Sequence, residues 1–352
     1  MGKHILLVEP NYYSRYPPIG LLKLSAYHKQ KGDTTELVKG LRNPSKKPDI
    51  IYITSLFTWA WKPVWDAVRF YKNLFPKVEV WLGGIYASLL PNHAAQSGAD
   101  YIHVGIYKEA EDLLPDYSLV PDWDGSIVFS SRGCIRSCTF CAVPILEGKL
   151  NSVKSSIKHL IWPTHTKVIF FDNNFLANPN WKDIFQELRE LNLKVDFNQG
   201  LDARLITEEV AQELSTLKKE RLIRLAYDNK RMKRPVKKAI ELLKAHGIRG
   251  RSIMVYALYN YHDEGPQEFF ERVRDILEWG AVAYPMRYVP IDALDKNSYV
   301  APGWDPIRLE MVQKARRVLG YGGAFPPYTG LIKKFQKANT FDEAFSLRPP
   351  KK

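Results

Sequence analysis

The only three cysteines of this 352-residue chain are Cys134, Cys138 and Cys141, in the spacing C-x3-C-x2-C. Disulfides form in pairs, so an odd number of cysteines on one short segment indicates a ligand set rather than a disulfide framework. Iron–sulfur clusters are held by cysteine thiolates, normally four of them. Three thiolates therefore predict a [4Fe-4S] cluster in which one iron stays open to a substrate or cofactor.

A structural zinc site is the alternative interpretation of the same cysteines. Such a site usually takes four protein ligands, and the chain has no fourth cysteine. A histidine would have to complete the site, and His159 and His165 lie at no recognisable spacing from the cysteines. The ligand count favours the cluster, and a zinc-stabilised RNA-binding module remains the non-enzymatic alternative.

The cysteine triplet resembles the hallmark of the radical S-adenosylmethionine (SAM) superfamily. The residue before the last cysteine is the aromatic Phe140, as in that family's C-x3-C-x-aromatic-C pattern. The resemblance implies that SAM chelates the open iron beside Phe140, and that an electron from the cluster cleaves SAM to a 5′-deoxyadenosyl radical. It also implies an electron donor, such as flavodoxin or ferredoxin, as a partner.

Residues 126–300 contain six strand-like stretches, each separated from the next by a helix-length segment. These predicted strands are Ile127–Ser131, Lys167–Phe171, Lys194–Phe197, Leu222–Ala226, Ile253–Leu258 and Val282–Tyr288. Six such units match the partial (β/α)6 barrel, or partial TIM barrel, of the radical SAM core. Barrel enzymes carry their chemistry at the carboxyl ends of the strands, and the cysteine segment directly follows the first predicted strand.

Polar residues follow the second and third predicted barrel strands. In the radical SAM family the end of the second strand receives the amino group of SAM, so the resemblance implies SAM contacts at Asp172 and Asn173; a carboxylate suits an ammonium group. Gln199 and Arg204 follow the third strand, and a guanidinium fork suits the SAM carboxylate. The alternatives are a turn cap at the second strand and a structural pair in which Asp202 holds Arg204.

Residues 1–120 alternate strand-like and helix-like stretches, which predicts a Rossmann-like parallel α/β sheet. Four segments resemble the cobalamin (B12)-binding domain that precedes the radical core in one large radical SAM subgroup: Tyr16–Leu22, Thr54–Thr58, Leu82–Pro91 and Gly98–Gly105. That resemblance implies cobalamin contacts at Ser55, Gly83, Gly84 and Gly105. Glycines just past the ends of parallel strands are also where open α/β sheets bind ligands.

The cobalt-ligating motif D-x-H-x-x-G of many cobalamin proteins is absent, and His28, the nearest candidate, lacks the aspartate two residues earlier. Members of the subgroup without the motif either bind cobalamin without a histidine or keep the domain as a scaffold. The reaction that the subgroup implies is methylation of an unreactive carbon, so the predicted function is that of a cobalamin-dependent C-methyltransferase. A cobalamin-free radical SAM enzyme that modifies RNA is the alternative.

The RNA alternative comes from charge. The chain has a formal net charge of +13, and residues 218–251 carry thirteen Lys or Arg against three acids. A basic stretch of this kind can bind a phosphate backbone. The other interpretation is a solvated helix face, because Val236–Lys244 has amphipathic spacing.

The sequence predicts three regions: the Rossmann-like domain at 1–120, the radical SAM core at 126–300, and a helical or irregular C-terminal extension at 301–352. The extension contains a Gly- and aromatic-rich stretch at 320–328, which is interpreted as a packing strap or a binding loop. Apolar residues make up 45% of the chain and charged residues 25%, as in ordinary globular proteins. Clustered cysteines without a targeting segment or an apolar span predict a reducing cytoplasm and no membrane contact.

Overall fold

The computed structural model describes residues 2–219, 222–262, 264–320 and 328–347. Its first unit is a five-stranded parallel sheet in the order β2-β1-β3-β4-β5. The strands are β1 (His4–Glu9), β2 (Thr34–Lys39), β3 (Ile50–Ser55), β4 (Glu79–Gly84) and β5 (Tyr101–Ile102). The helices are α1 (Ile19–Gln30), α2 (Trp61–Leu74), α3 (Ile85–Leu89), α4 (Pro91–Ala95) and α5 (Lys108–Glu111). The predicted Rossmann-like sheet is therefore present.

Burial explains why these residues form this sheet. The central strand β1 is buried on both faces, since all of its residues from Ile5 to Glu9 are buried, as expected for a parallel strand covered by helices. Helix α2 buries Val64, Ala67, Val68 and Tyr71, the spacing of an amphipathic helix. The sequence did not predict β2, which lies at the sheet edge and fully buries only Val38.

The second unit contains the six predicted strands. They are β6 (Gly125–Val128), β7 (Lys167–Phe170), β8 (Lys194–Phe197), β9 (Ile223–Ala226), β10 (Ile253–Tyr259) and β11 (Val282–Arg287). The helices among them are α6 (Val143–Leu146), α7 (Trp181–Glu190), α8 (Glu208–Thr216), α9 (Lys233–Ala245) and α10 (Pro266–Glu278). All strand pairs are parallel, as the alternation of strands and helices predicts.

The six strands do not form one continuous ladder among the described residues. They form two parallel three-stranded sheets, β6-β7-β8 and β11-β10-β9. Between β8 and β9 the described residues show isolated backbone hydrogen bonds, such as Leu201 N–H to Arg224 O at 2.8 Å. Arg224 also crosses this gap with its side chain, which pairs with the buried Asp196 and donates to Phe197 O at 3.2 Å.

The described part of the C-terminal region packs into the same core as the barrel strands. Its helices are α11 (Pro306–Gly320), α12 (Tyr328–Lys337) and α13 (Phe341–Phe345). Phe335 and Phe345 are buried in the hydrophobic core that includes Phe269 of α10, with a Phe269–Phe345 ring distance of 5.8 Å. The predicted strap at 320–328 lies outside the described residues for most of its length. No helix in the described part of the chain has the length and apolarity to cross a bilayer.

Loops at the carboxyl ends of the two sets of strands contact each other. Tyr16, after β1, donates its hydroxyl to Asn198 Oδ1, after β8, at 2.6 Å. Thr58, after β3, donates to the backbone oxygen of Ala293, after β11, at 2.7 Å. The two edges at which parallel α/β units bind ligands therefore face each other.

Candidate iron–sulfur and SAM site

The cysteine segment follows the carboxyl end of β6, and Asp172 holds the backbone of Ser130 and Ser131 at the start of this segment. Asp172 Oδ1 accepts hydrogen bonds from the Ser131 N–H at 2.7 Å and from the Ser130 hydroxyl. Asp172 Oδ2 accepts from the Ser130 N–H at 3.0 Å. The side chain is 2% exposed, so its contacts position the start of the cysteine loop. This role differs from the predicted contact with the SAM amino group.

The three cysteines lie together on one partly exposed loop. Two backbone donors point at their sulfur atoms: Arg136 N–H to Cys134 Sγ at 3.3 Å and Val143 N–H to Cys141 Sγ at 3.5 Å. The side-chain amide of Asn174 also approaches Cys134 Sγ at 3.7 Å. Hydrogen bonds to the ligating sulfurs are one of the means by which proteins tune iron–sulfur clusters.

Electrostatics keep two of these thiols protonated in the metal-free chain. Burial raises the pKa of Cys138, and the charges of Asp228 and the neighbouring thiols raise it further. Burial likewise raises the pKa of Cys141, against the opposing hydrogen bond from Val143. Because metal ligation requires thiolates, cluster binding here would release protons.

The donor set fits an iron–sulfur cluster by its chemistry. In the described residues no three His, Cys, Asp or Glu side chains are close enough together to hold a metal ion directly. The three thiols nevertheless share one loop, with N–H donors directed at two of them, and iron–sulfur clusters are held by thiolates with such donors around them. The fit therefore rests on the residue types and their environment.

His165, one of the two histidines that could complete a zinc site, is not available as a ligand. Both ring nitrogens of the buried His165 are engaged, Nδ1 with Ser126 Oγ and Nε2 with Trp123 O, each at 3.0 Å. Ser126 belongs to β6, near the opposite end of that strand from the cysteine loop. His159 lies in an exposed turn that precedes β7.

The other residues predicted to bind SAM lie at the ends of β7 and β8, on the same edge as the cysteine loop. Asn173 is partly exposed and donates its amide to Glu147 Oε2 at 2.9 Å. Gln199 is exposed. Phe140 packs edge-on against Tyr261 at a ring distance of 5.6 Å, and the Tyr261 hydroxyl lies 2.6 Å from Thr139 Oγ1.

Arg204 makes the pair with Asp202 that was the structural alternative. Its guanidinium donates Nε to Asp202 Oδ1 at 2.7 Å and Nη2 to Oδ2 at 3.0 Å. Arg136 of the cysteine loop also donates to Asp202 Oδ2 at 3.0 Å. The Arg204 side chain is 37% exposed and Asp202 only 5%, so the carboxylate anchors a guanidinium group whose outer face stays open. Anchoring by Asp202 and binding of a ligand by Arg204 are compatible.

Sequence reasoning assigned no role to Asp228, which follows β9 on the same edge. Burial raises its pKa to about 6, against the attraction of Arg272 and Arg204. Its carboxylate makes no hydrogen bond or ion pair within the described chain. The signal that nominated Asp172, a carboxylate just past a barrel strand, would also have found Asp228. Asn174 was missed as well, and its buried Oδ1 has no partner among the described residues.

The four residues predicted to contact cobalamin meet at the carboxyl edge of the first sheet. Ser55 is 2% exposed; its hydroxyl donates to Gly83 O at 2.7 Å and accepts from the Ala87 N–H at 3.1 Å. A Cβ on Gly84, which has φ +101°, would lie 2.2 Å from Ser55 O. The Gly105 N–H donates to Ser88 Oγ at 2.9 Å. These contacts within the chain fix the backbone of this edge.

Two further observations concern histidines and cavities near this sheet. His28 is buried and engages Asp33 Oδ2 at 2.7 Å and the Tyr52 hydroxyl at 3.2 Å, so it is not available to cobalt. His103, beside Gly83, has a buried Nε2 without a partner in the described residues. Cavities of 370 and 180 Å³ lie elsewhere, and neither is lined by any of the four predicted cobalamin residues. Cobalamin contacts at the four predicted residues stay a prediction.

The basic residues of the stretch 218–251 lie in several different environments. Arg224 is buried in its pair with Asp196, and α9 buries Val236, Ala239, Ile240 and Leu243, which confirms the amphipathic helix. Arg231, Arg234 and Lys238 are exposed and form no ion pair among the described residues. Arg231 lies just before α9, and Arg234 and Lys238 lie in its first half, the half nearest the carboxyl edge of the strands.

The chain matches no protein-family model and no curated protein. It shares its fold with the radical S-adenosylmethionine methyltransferase TsrM from Kitasatospora setae, with a TM-score of 0.59 and 14% identity. The structure of TsrM with its tryptophan substrate and the SAM analogue aza-SAM covers 82% of this chain and 75% of TsrM. The structure with cobalamin and a [4Fe-4S] cluster covers 83% and 74%. This chain therefore has a TsrM-like mixed α/β fold with parallel sheets.

Proposed function

We propose that this protein is a radical SAM enzyme that binds a [4Fe-4S] cluster through Cys134, Cys138 and Cys141. The observation that carries the proposal is the three-cysteine loop at the carboxyl edge of the barrel strands, on a fold shared with a radical SAM methyltransferase. When bound, the cluster supplies the electron that cleaves SAM to a 5′-deoxyadenosyl radical, which abstracts hydrogen from the substrate. The electron enters from a donor such as flavodoxin or ferredoxin.

The chain's own residues have three tasks in this proposal. The cysteines hold three irons, and N–H donors from Arg136 and Val143 stabilise two of the sulfurs. Arg204, anchored by Asp202, offers its open guanidinium face to the SAM carboxylate. The carboxylate of Asp228 and the amide groups of Asn173 and Gln199 supply polar contacts on the same edge, and Phe140 supplies an apolar one.

The finer proposal is transfer of a methyl group to a carbon atom, and the neighbouring TsrM is itself a methyltransferase. The facing carboxyl edges of the two units support it, because a methyl carrier on one edge would lie opposite the radical source on the other. The cobalamin contacts of this chain stay a prediction, so we route no step through cobalamin. A spectroscopic titration decides this point: no binding of cobalamin at micromolar concentrations excludes methyl transfer through cobalt.

The experiment that tests the class is anaerobic reconstitution with iron and sulfide, followed by an assay for 5′-deoxyadenosine with SAM and dithionite. We expect an iron content near that of one [4Fe-4S] cluster per chain and formation of 5′-deoxyadenosine. One zinc per chain, without iron, after anaerobic purification would contradict the proposal and support the zinc-stabilised module.

RNA is the second candidate substrate, and the exposed cations Arg231, Arg234 and Lys238 favour it. They lie just before α9 and in its first half, in the segment that follows Asp228, so a bound phosphate backbone would pass close to the proposed site. Binding of tRNA in a gel-shift series should weaken steeply with salt. A double variant, Arg231→Glu with Arg234→Glu, should abolish it, whereas Arg249→Glu before β10 should not. Absent or salt-independent binding by the wild type would contradict RNA as the substrate.

A further inference from the structure

Four charged side chains form a chain of contacts from the first unit to the cysteine loop. They are Lys23 on α1, Glu111 at the end of α5, Arg132 just before the loop, and Glu147 just after it. Their side chains are 9%, 13%, 12% and 15% exposed, respectively. Charged groups this deeply buried are costly unless they are paired, so the arrangement of the network is specific.

Within this network, the two units meet at a bidentate pair between Glu111 and Arg132. Arg132 donates Nε to Glu111 Oε1 at 2.7 Å and Nη2 to Glu111 Oε2 at 3.0 Å. Lys23 donates to the same Oε2 at 2.9 Å, and the Arg132 guanidinium lies 3.3 Å from the centre of the Phe129 ring. Paired hydrogen bonds in a fork fix direction as well as distance, so Glu111 sets the orientation of Arg132.

The second half of the network connects Arg132 to the predicted SAM contacts. Arg132 Nη1 donates to Glu147 Oε1 at 3.3 Å. Glu147 Oε2 accepts from the Gly133 N–H and from the amide of Asn173, both at 2.9 Å. One carboxylate thus joins the residue before Cys134 to a residue at the end of β7.

The backbone between Arg132 and Cys134 has little freedom to move independently. Gly133 has φ +69°, and a Cβ there would lie 2.1 Å from Lys149 O. Arg132 exchanges two backbone hydrogen bonds with Asn151, both at 2.9 Å, and the Cys134 N–H donates to Gly148 O at 3.2 Å. A shift of Arg132 would therefore be transmitted to the first cysteine.

We propose that Glu111 is a positioning residue for the cysteine loop, so that the first unit contributes to the reaction by holding Arg132 and, through it, Cys134 and Asn173. This inference rests on the proposed function, because it assigns the loop to the iron–sulfur cluster. It gives the first unit a task in the chemistry that does not depend on bound cobalamin.

The charge state of Glu111 agrees with this role. Burial alone would raise the pKa of Glu111, but the hydrogen bonds and charges of Arg132 and Lys23 outweigh burial and hold it below its ordinary value. The carboxylate is therefore ionised at neutral pH. Replacing it by an amide removes the charge that balances two cations and leaves the side chain nearly the same size.

Hydrogen exchange of the full chain tests the proposal whether or not a cluster is bound. We expect Glu111→Gln and Arg132→Gln each to accelerate exchange in residues 130–148 by about tenfold or more, with β1 and β10 unchanged. Arg132→Gln leaves the Lys23–Glu111 pair in place, so it tests the loop without disturbing the first unit. The control is Glu109→Gln, an exposed carboxylate on the same helix outside the network. Unchanged exchange in 130–148, or equal acceleration throughout the chain, would overturn the proposal.

Electron paramagnetic resonance of the reconstituted, reduced protein provides the functional test. We expect both variants to keep the wild-type iron content, to show an altered cluster spectrum on addition of SAM, and to form 5′-deoxyadenosine about tenfold more slowly or worse. Wild-type spectra and rates in both variants would overturn the positioning role. A wild-type protein that binds no cluster would refute the proposed function instead, and the exchange result would still decide the role of Glu111.

Discussion

The carboxyl edge of the first sheet and the carboxyl edge of the barrel have similar topology but differ in their polar groups. At the first edge the Ser55 hydroxyl donates and accepts within the chain, and Gly84 leaves no room for a side chain. At the barrel edge Arg204 keeps an open face, Asn174 Oδ1 is buried without a partner, and the Asp228 carboxylate, whose pKa is raised by burial, makes no hydrogen bond among the described residues. Buried polar groups are normally hydrogen-bonded. The first edge has one exception in the described part of the chain, His103 Nε2, whereas the barrel edge combines its exception with an open guanidinium and an unpaired carboxylate, which are groups that can bind a charged ligand.

The largest effect that this comparison predicts is at the cysteine loop. Cys138→Ala should reduce the iron content of the reconstituted protein to a small fraction and lower 5′-deoxyadenosine formation by roughly a thousandfold or more, since the cluster loses one of three ligands. Ser137→Ala, on the exposed neighbouring residue, should leave both unchanged. A wild-type iron content and a wild-type rate of 5′-deoxyadenosine formation in Cys138→Ala would show that the cluster is not bound at the barrel edge.

Substitutions at the carboxyl edge of the first sheet should change the free energy of unfolding rather than the rate of 5′-deoxyadenosine formation. Gly84→Ala should lower the free energy of unfolding by about 3 kcal/mol or more, because the new Cβ meets Ser55 O and the backbone has a positive φ. Gly98→Ala, also at positive φ but in open space, should cost only about 1 kcal/mol. Denaturant titration measures both. Activity per bound cluster should not change, and a selective loss of activity would give the first edge a direct part in catalysis.

Substitution of Asp228 measures how much the unpaired carboxylate at the barrel edge lowers the free energy of unfolding. Its pKa is raised to about 6, so the folded chain holds a proton that the unfolded chain releases near pH 4. The associated stability is present below that pH and is lost as pH rises through 6. Asp228→Asn should avoid this loss and raise the free energy of unfolding at pH 7 by about 1–3 kcal/mol.

The stability gain of Asp228→Asn should be absent near pH 4 and should grow between pH 4 and 6. Thermal unfolding of the wild type and the variant across this range measures it. Slower 5′-deoxyadenosine formation in a more stable variant would identify a carboxylate kept for function. A gain that is independent of pH would mean that the pKa of Asp228 is not raised in the folded chain.

The smallest effect that we expect is on the KM for SAM, when the planar guanidinium of Arg204 is replaced by an ammonium group. Arg204→Lys keeps the charge but loses the planar fork that pairs with Asp202, so the KM for SAM should rise about tenfold while kcat changes less. Arg189→Lys, at a surface pair with Glu213, should match the wild type. An unchanged KM in Arg204→Lys would leave Arg204 with the structural role alone.

Much of the fold was predictable because it depends on local patterns. Buried apolar runs such as Ile50–Ser55 and amphipathic stretches such as Val64–Leu74 indicate their elements directly. The edge strand β2 was not predictable, because only Val38 is fully buried and the rest reads as polar. The break in the ladder between β8 and β9 was also hidden, since it depends on how two distant segments are joined by Arg224 and Asp196.

For the site, the sequence alone determined the cysteine loop, because ligand type and spacing are properties of one short segment. It also placed Asp172, Asn173, Gln199 and Arg204 after strands, where parallel topology brings them to one edge. Only the tertiary structure decided what each polar atom contacts. Asp172 is taken by two serines, Ser55 is closed in, Asp228 has no partner in the described part of the chain, and Glu111 reaches across to Arg132. Partners 21 to 42 residues apart in the chain leave no trace in local spacing, and burial, which sets the charge state of each group, exists only once the chain has folded.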